Sequence, residues 1–201
     1  MSATVIRMEY DGGRWFHVPT GDVLEELHGG DLRRWAAGAV SVVLQNEHDV
    51  ERAEFNRFVD SFLQIAQLRL DDTAEFDAFL HVPDPYVGAQ VMYMIPWELE
   101  PEHQAEFPEL LDLFAMTHDP EAVEPPVREV VNTKGLGSGL RVLRYFLGPG
   151  DVLVAAVHYA FRLPLSGNLL ELRASGIELG RFLMLMNDMD EFAQGIREEA
   201  E

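Results

Sequence analysis

The sequence predicts an α+β protein built mainly on an antiparallel sheet, with a C-terminal β-meander and flanking helices over 49–69, 107–116 and 178–197. Three observations carry that prediction. Apolar residues recur at helical spacing in those three stretches. The last third holds four β-forming runs separated by short glycine-bearing turns. Links so short join antiparallel neighbours, because a parallel crossover needs a dozen residues or more.

Taken in order, Val5 to Tyr10 and Arg14 to Val18 flank Asp11-Gly12-Gly13, the composition of a hairpin turn. Pro19 ends the second run, since proline offers the ladder no donor. Asp22 to Leu27 reads as a short helix stopped by Gly29-Gly30, and Asp31 can cap the next one through Trp35 and Ala36. Val40 to Leu44 suits either a continuation of that helix or a strand. Within 49–69, Phe55, Phe58, Val59, Phe62, Ile65 and Ala66 share a face, with Glu51, Glu54, Arg57 and Asp60 elsewhere. Glu75 to Val82 and Gln90 to Ile95 read as strands closed by Pro83 and Pro96. Trp15-Phe16-His17-Val18-Pro19 is echoed by Phe79-Leu80-His81-Val82-Pro83, and strand termination by proline accounts for the echo. Phe107, Leu110, Leu111 and Phe114 mark the second helix, with Pro108 in its first turn. Val127 to Thr133, Leu140 to Leu147, Val152 to Leu163 and Leu169 to Ala174 make the meander. Leu179, Phe182, Leu183, Met186, Met189, Ala193 and Ile196 make the closing helix.

A chain of 201 residues suits a single domain, here with an acidic subregion at 47–126. The absence of cysteine excludes disulfides, thiolate metal sites and a cysteine nucleophile. No apolar run reaches the roughly 18 residues of a membrane span, and MSATVIRMEYDGG has no leader pattern, so a cytoplasmic location is expected. The net charge of −20 is unevenly spread: residues 47–126 hold 19 acids against 3 bases, and residues 127–182 hold 4 against 7. Such a field disfavours nucleic acid and anionic lipid as partners and favours a basic protein.

The stretch NTKGLGSGLR, residues 132–141, invites a phosphate-loop reading and does not sustain it. Its third glycine comes one place too early for a dinucleotide fingerprint, Lys134 precedes rather than follows the glycines, and a strand-like run comes next where a helix N-terminus is required. None of the seven histidines stands at metal-ligand spacing, so no metal and no cofactor is expected. The acidic segment is the stronger signal. Between Trp97 and Pro126 lie nine acids and no lysine or arginine, and Glu98, Glu100, Glu102, Glu106, Glu109 and Asp112 are the candidate partner-binding residues.

From Val127 to Arg197, VVNTKGLGSGLRVLRYF, DVLVAAVHYAFRLPLSGNLLELRAS and FLMLMNDMDEFAQGIR follow one another. That order resembles the C-terminal half of the PsbP-like fold superfamily, which includes a photosystem extrinsic subunit, a Ran-binding import factor and DcrB-type effector chaperones. The resemblance covers about a third of the chain, with Tyr159 to Pro164 a loose match to the family's proline-ended strand. It implies a curved antiparallel sheet sandwiched by helices and a binding scaffold without catalytic residues.

The leading expectation is therefore a non-enzymatic protein-binding protein, such as an immunity protein or dedicated effector chaperone. It would engage its partner through an acidic or apolar surface. The alternative is an enzyme or small-ligand binder with a cavity between sheet and helix, lined by Trp97, Tyr145, His158 and Tyr159. A third option is a subunit that pairs with a second copy through exposed strands.

Overall fold

A computed structural model describes residues 4–47, 50–70, 76–86, 88–100, 112–113 and 121–201, with side chains through residue 67 in the second segment. Among these the fold is α+β. A seven-stranded sheet runs β2-β3-β4-β8-β7-β6-β5 and a two-stranded sheet pairs β1 with β9. No helix among the described residues is long and apolar enough to cross a membrane. The chain divides into two compact units, residues 11–91 and residues 1–10 with 92–201.

The 11–91 unit contains β2 (Trp15–His17), α1 (Gly21–His28), α2 (Leu32–Val43), α3 (Arg52–Leu70) and β3 (Asp77–His81). β2 pairs with β3, Trp15 opposite His81 and His17 opposite Phe79. The two echoed segments of the sequence are thus neighbouring strands. The Asp31 carboxylate accepts the N–H groups of Arg33 and Arg34, which caps α2 as expected. Val40 to Val43 continue that helix. Val59, Phe62 and Ala66 form the buried stripe of α3, with the Phe62 ring 6.1 Å from Phe16 and 6.4 Å from Trp35. Burying each such aromatic contributes about 2–3 kcal/mol.

The other unit contains β1 (Thr4–Met8), most of β4 (Gln90–Trp97), β5 (Val127–Thr133), β6 (Gly137–Leu147), β7 (Leu153–Arg162), β8 (Leu169–Gly176), α4 (Leu179–Gln194) and β9 (Ile196–Ala200). β5 to β8 are an antiparallel meander, as the turn chemistry predicts, and β4 adds to β8. β7 is buried on both faces from Ala155 to Phe161. α4 buries Phe182, Leu185, Met189, Phe192 and Ala193.

Three expectations are corrected. β1 and β2 do not form a hairpin: β1 pairs with β9, Met8 opposite Ile196. The turn at Asp11 is present, with Trp15 N–H donating to Asp11 O at 2.9 Å, but β1 and β2 belong to different sheets. The closing helix stops at Gln194 rather than 197, because Gly195 lets the backbone cross Glu9 closely enough for Glu9 N–H to donate to Gly195 O at 2.9 Å. Ile196 then serves a strand. β4 also runs through Pro96 to Trp97. The helix placed over 107–116 falls outside the described residues except Asp112 and Leu113, which are helical.

The glycine-rich stretch 132–141 is a β5–β6 turn. A Cβ on Gly135 would lie 2.1 Å from Ile196 O, a Cβ on Gly139 would lie 2.3 Å from the Phe161 ring, and Gly137 has φ +78°. All three glycines therefore have packing or backbone reasons unrelated to phosphate. Gly135→Ala should lower stability by about 2–3 kcal/mol in urea denaturation, because the obstructing atom is backbone. Gly12→Ala, with nothing within 4 Å of its Cβ, should change it by less than about 0.5 kcal/mol.

Candidate functional site

The polar residues of the sheet must be placed first. Alternation along β7 sends His158 to one face and Tyr159 to the other. His158, 8% exposed, holds Nδ1 3.0 Å from Glu171 Oε1, so a proton lies between them. Trp97 Nε1–H donates to the other oxygen, Glu171 Oε2, at 3.1 Å. Trp97 and His158 are thus brought together, through a buried carboxylate that neither candidate set contained.

Tyr159 and Tyr145 lie on the opposite face, Tyr159 across from Arg141 and Tyr145 across from Ala155. The Tyr159 hydroxyl donates to Asp190 Oδ1 at 2.8 Å and approaches Met186 O at 3.2 Å. Arg141 donates to Asp190 and, through Nε at 3.1 Å, to Glu129. Burial and then the Asp190 charge push the Tyr159 pKa well above its usual value. Burial opposes the Arg141 charge, but the bonds to Glu129 and Tyr159 outweigh it and raise the guanidinium's pKa. The phenol therefore stays a donor and the arginine stays charged, which suits a clamp of α4 on the sheet. The four candidate pocket residues do not line one cavity.

Of the candidate partner-binding acids, Glu98 and Glu100 are exposed and Asp112 pairs with Arg128 at 2.9 Å. Glu102, Glu106 and Glu109 lie outside the described residues. Among the described residues no group of three or more histidines, cysteines or acids is placed to hold a metal.

An open apolar cavity lies in the 11–91 unit. It measures about 360 Å³, within the usual range for ligand sites, and is bounded by Val40 and Val43 of α2, Phe58, Phe62 and Ile65 of α3, and Val82, Pro85 and Tyr86. Its origin is helical geometry. At 100° per residue the apolar stripe of α3 spans roughly 120°. Val59, Phe62 and Ala66 take the middle, while Phe58 and Ile65 sit on one flank with Glu54, Ser61 and Arg57 beyond them. Opposite that flank, Pro83 and Pro85 keep the chain out of the strand ladder, and Tyr86 N–H donates to Asp84 Oδ1 at 2.8 Å. The Tyr86 ring meets Phe58 edge-on at 6.1 Å and remains 61% exposed. Desolvation, then the charges of Glu47, Glu54 and Asp84, raise its pKa above the usual tyrosine value. The cavity is apolar inside, with Glu54, Arg57 and Ser61 on its lining and Asp84 beside Tyr86.

No protein-family model matches the chain. No curated protein matches it. Among solved structures the chain is similar to LpqN of Mycobacterium tuberculosis, described as involved in cell envelope biogenesis, at 10% identity and a TM-score of 0.48, over 98% of this chain and 84% of that one.

Sequence reasoning did not single out the cavity. The usable signals were the width of the α3 stripe and the Pro-Asp-Pro-Tyr run at 83–86.

Two outcomes follow. Glu171→Leu strands a buried imidazole and should cost about 1–3 kcal/mol, and the double variant His158→Leu/Glu171→Leu should regain part of that loss in the same denaturation assay. Replacing Glu54 by Gln removes a negative charge that disfavours the Tyr86 phenolate, so the Tyr86 pKa should fall toward 10, read from ring carbon shifts against pH.

Proposed function

We propose that this chain is a non-enzymatic cytoplasmic protein-binding protein that receives an apolar group of its partner in the cavity between α2, α3 and the residues Val82, Pro85, Tyr86, Gly88 and Ala89. The carrying observation is the cavity itself: about 360 Å³, open, apolar within, and flanked by a tyrosine ring left 61% exposed. A large exposed aromatic beside an apolar recess is the usual anatomy of an interface anchor point. The polar groups of the sheet support the same reading. His158, Glu171 and Trp97 satisfy one another, as do Tyr159, Asp190 and Arg141, so these polar groups are committed to holding the sheet and α4 together. The role is of the kind that an immunity protein or a dedicated chaperone performs, in which recognition is the whole task.

The test uses the full chain with an affinity tag and the variant Ser61→Trp. Ser61 is exposed on the cavity flank, so a tryptophan there fills the recess without disturbing the buried stripe. A partner captured from the native source by the parent chain should be lost by Ser61→Trp, with circular dichroism unchanged. Equal capture by both chains would place the interface elsewhere and overturn the proposal.

A further inference from the structure

The chemistry of the cavity's occupant can be read from its rim, and this step rests on the cavity being the binding site proposed above. Inside, the walls are aliphatic and aromatic: Val40, Val43, Phe58, Phe62, Ile65 and Tyr86. Such a surface takes an aromatic or branched aliphatic group and rejects one whose polar atoms would go unpaired. At the rim the lining charges are Glu54 and Arg57, and Asp84 stands beside them, its Oδ1 accepting the Tyr86 N–H at 2.8 Å. Two carboxylates against one guanidinium leave the mouth negative.

Among the described residues Glu54, Asp84 and Arg57 make no ion pair, whereas Asp60 on the same helix is held by Arg33 at 2.6 Å. The surrounding field has the same sign, since residues 11–91 carry 15 acids against 6 bases. An occupant with a negative head would meet that field as it entered. One with positive groups beside its apolar anchor would be steered in and would relieve the repulsion among the carboxylates.

We infer that the cavity receives an aromatic or branched aliphatic side chain of a partner protein whose neighbouring residues are lysine or arginine. The apolar anchor supplies the burial and the flanking cations supply the selectivity. The open mouth and the exposed Tyr86 ring suit a protein segment, which covers the rim, better than a free small molecule, which fills only the recess.

The experiment is an NMR titration of the isotope-labelled full chain with four probes. Three are ten-residue peptides with the same central Trp-Leu pair, flanked by lysines, serines or glutamates. The fourth is laurate, which brings comparable apolar bulk with a negative head. The lysine peptide should shift the amides of Phe58, Ser61, Ile65 and Tyr86 with a Kd at least about tenfold below that of the serine peptide. That gap should close in the double variant Glu54→Gln/Asp84→Asn and in 0.5 M salt, where the screening length falls to about 4 Å. Equal Kd values for the lysine and serine peptides, or tighter binding of the glutamate peptide or laurate, would overturn the charge assignment and leave the cavity as a site. Failure of all four probes to shift those amides would overturn the cavity reading as well.

Discussion

The constraint on which the sheet unit depends is the double burial of β7. From Ala155 to Phe161 every residue of that strand is buried, so any polar side chain on it must be satisfied almost wholly inside the protein. Two such residues are consecutive, His158 and Tyr159, and strand alternation sends them to opposite faces. Each face then acquires its own polar knot. Glu171 serves His158 and Trp97 on one side, and Asp190 with Arg141 serves Tyr159 on the other. The second knot joins α4 to the sheet and extends through Glu129 to the edge strand β5. What resembles catalytic furniture in the sequence is thus absorbed by the requirement that buried donors and acceptors be paired.

The 11–91 unit meets a different condition. Its longest helix presents an apolar stripe wider than the core beneath it needs, and the surplus, Phe58 and Ile65, faces Val82, Pro85 and Tyr86 and stays half-buried. Pro83 and Pro85 offer no N–H to a strand ladder, so the chain there does not close over the helix as regular structure. A recess results in which apolar surface and carboxylates are adjacent, a combination that folding alone does not favour and that a complementary partner would stabilise.

Local signals in the sequence were read well, and non-local ones were not. The α3 stripe, the Asp31 cap and the four-strand meander depend on residues within a few positions of each other. The β1–β9 pairing joins Thr4 to Ala200, and no periodicity records a contact across that separation. Gly195 showed the same limit: it reads as an ordinary residue near a helix end until Glu9 is found beside it. Glu171, the residue on which His158 and Trp97 converge, sat unremarked in an apolar run, because its burial is decided by the strands on either side. The cavity was legible only in part, since α2, α3 and the 82–89 segment each supply one wall and none announces the others.

The central claim is that the partner is received on the flank of α3. Hydrogen–deuterium exchange of the full chain, alone and saturated with the partner isolated from its native source, tests this most directly. The account predicts slowed exchange concentrated in residues 54–65 and 82–89, with the β6–β7–β8 ladder unchanged. Protection confined to the β5 edge, or to the exposed Glu98 and Glu100, would contradict it.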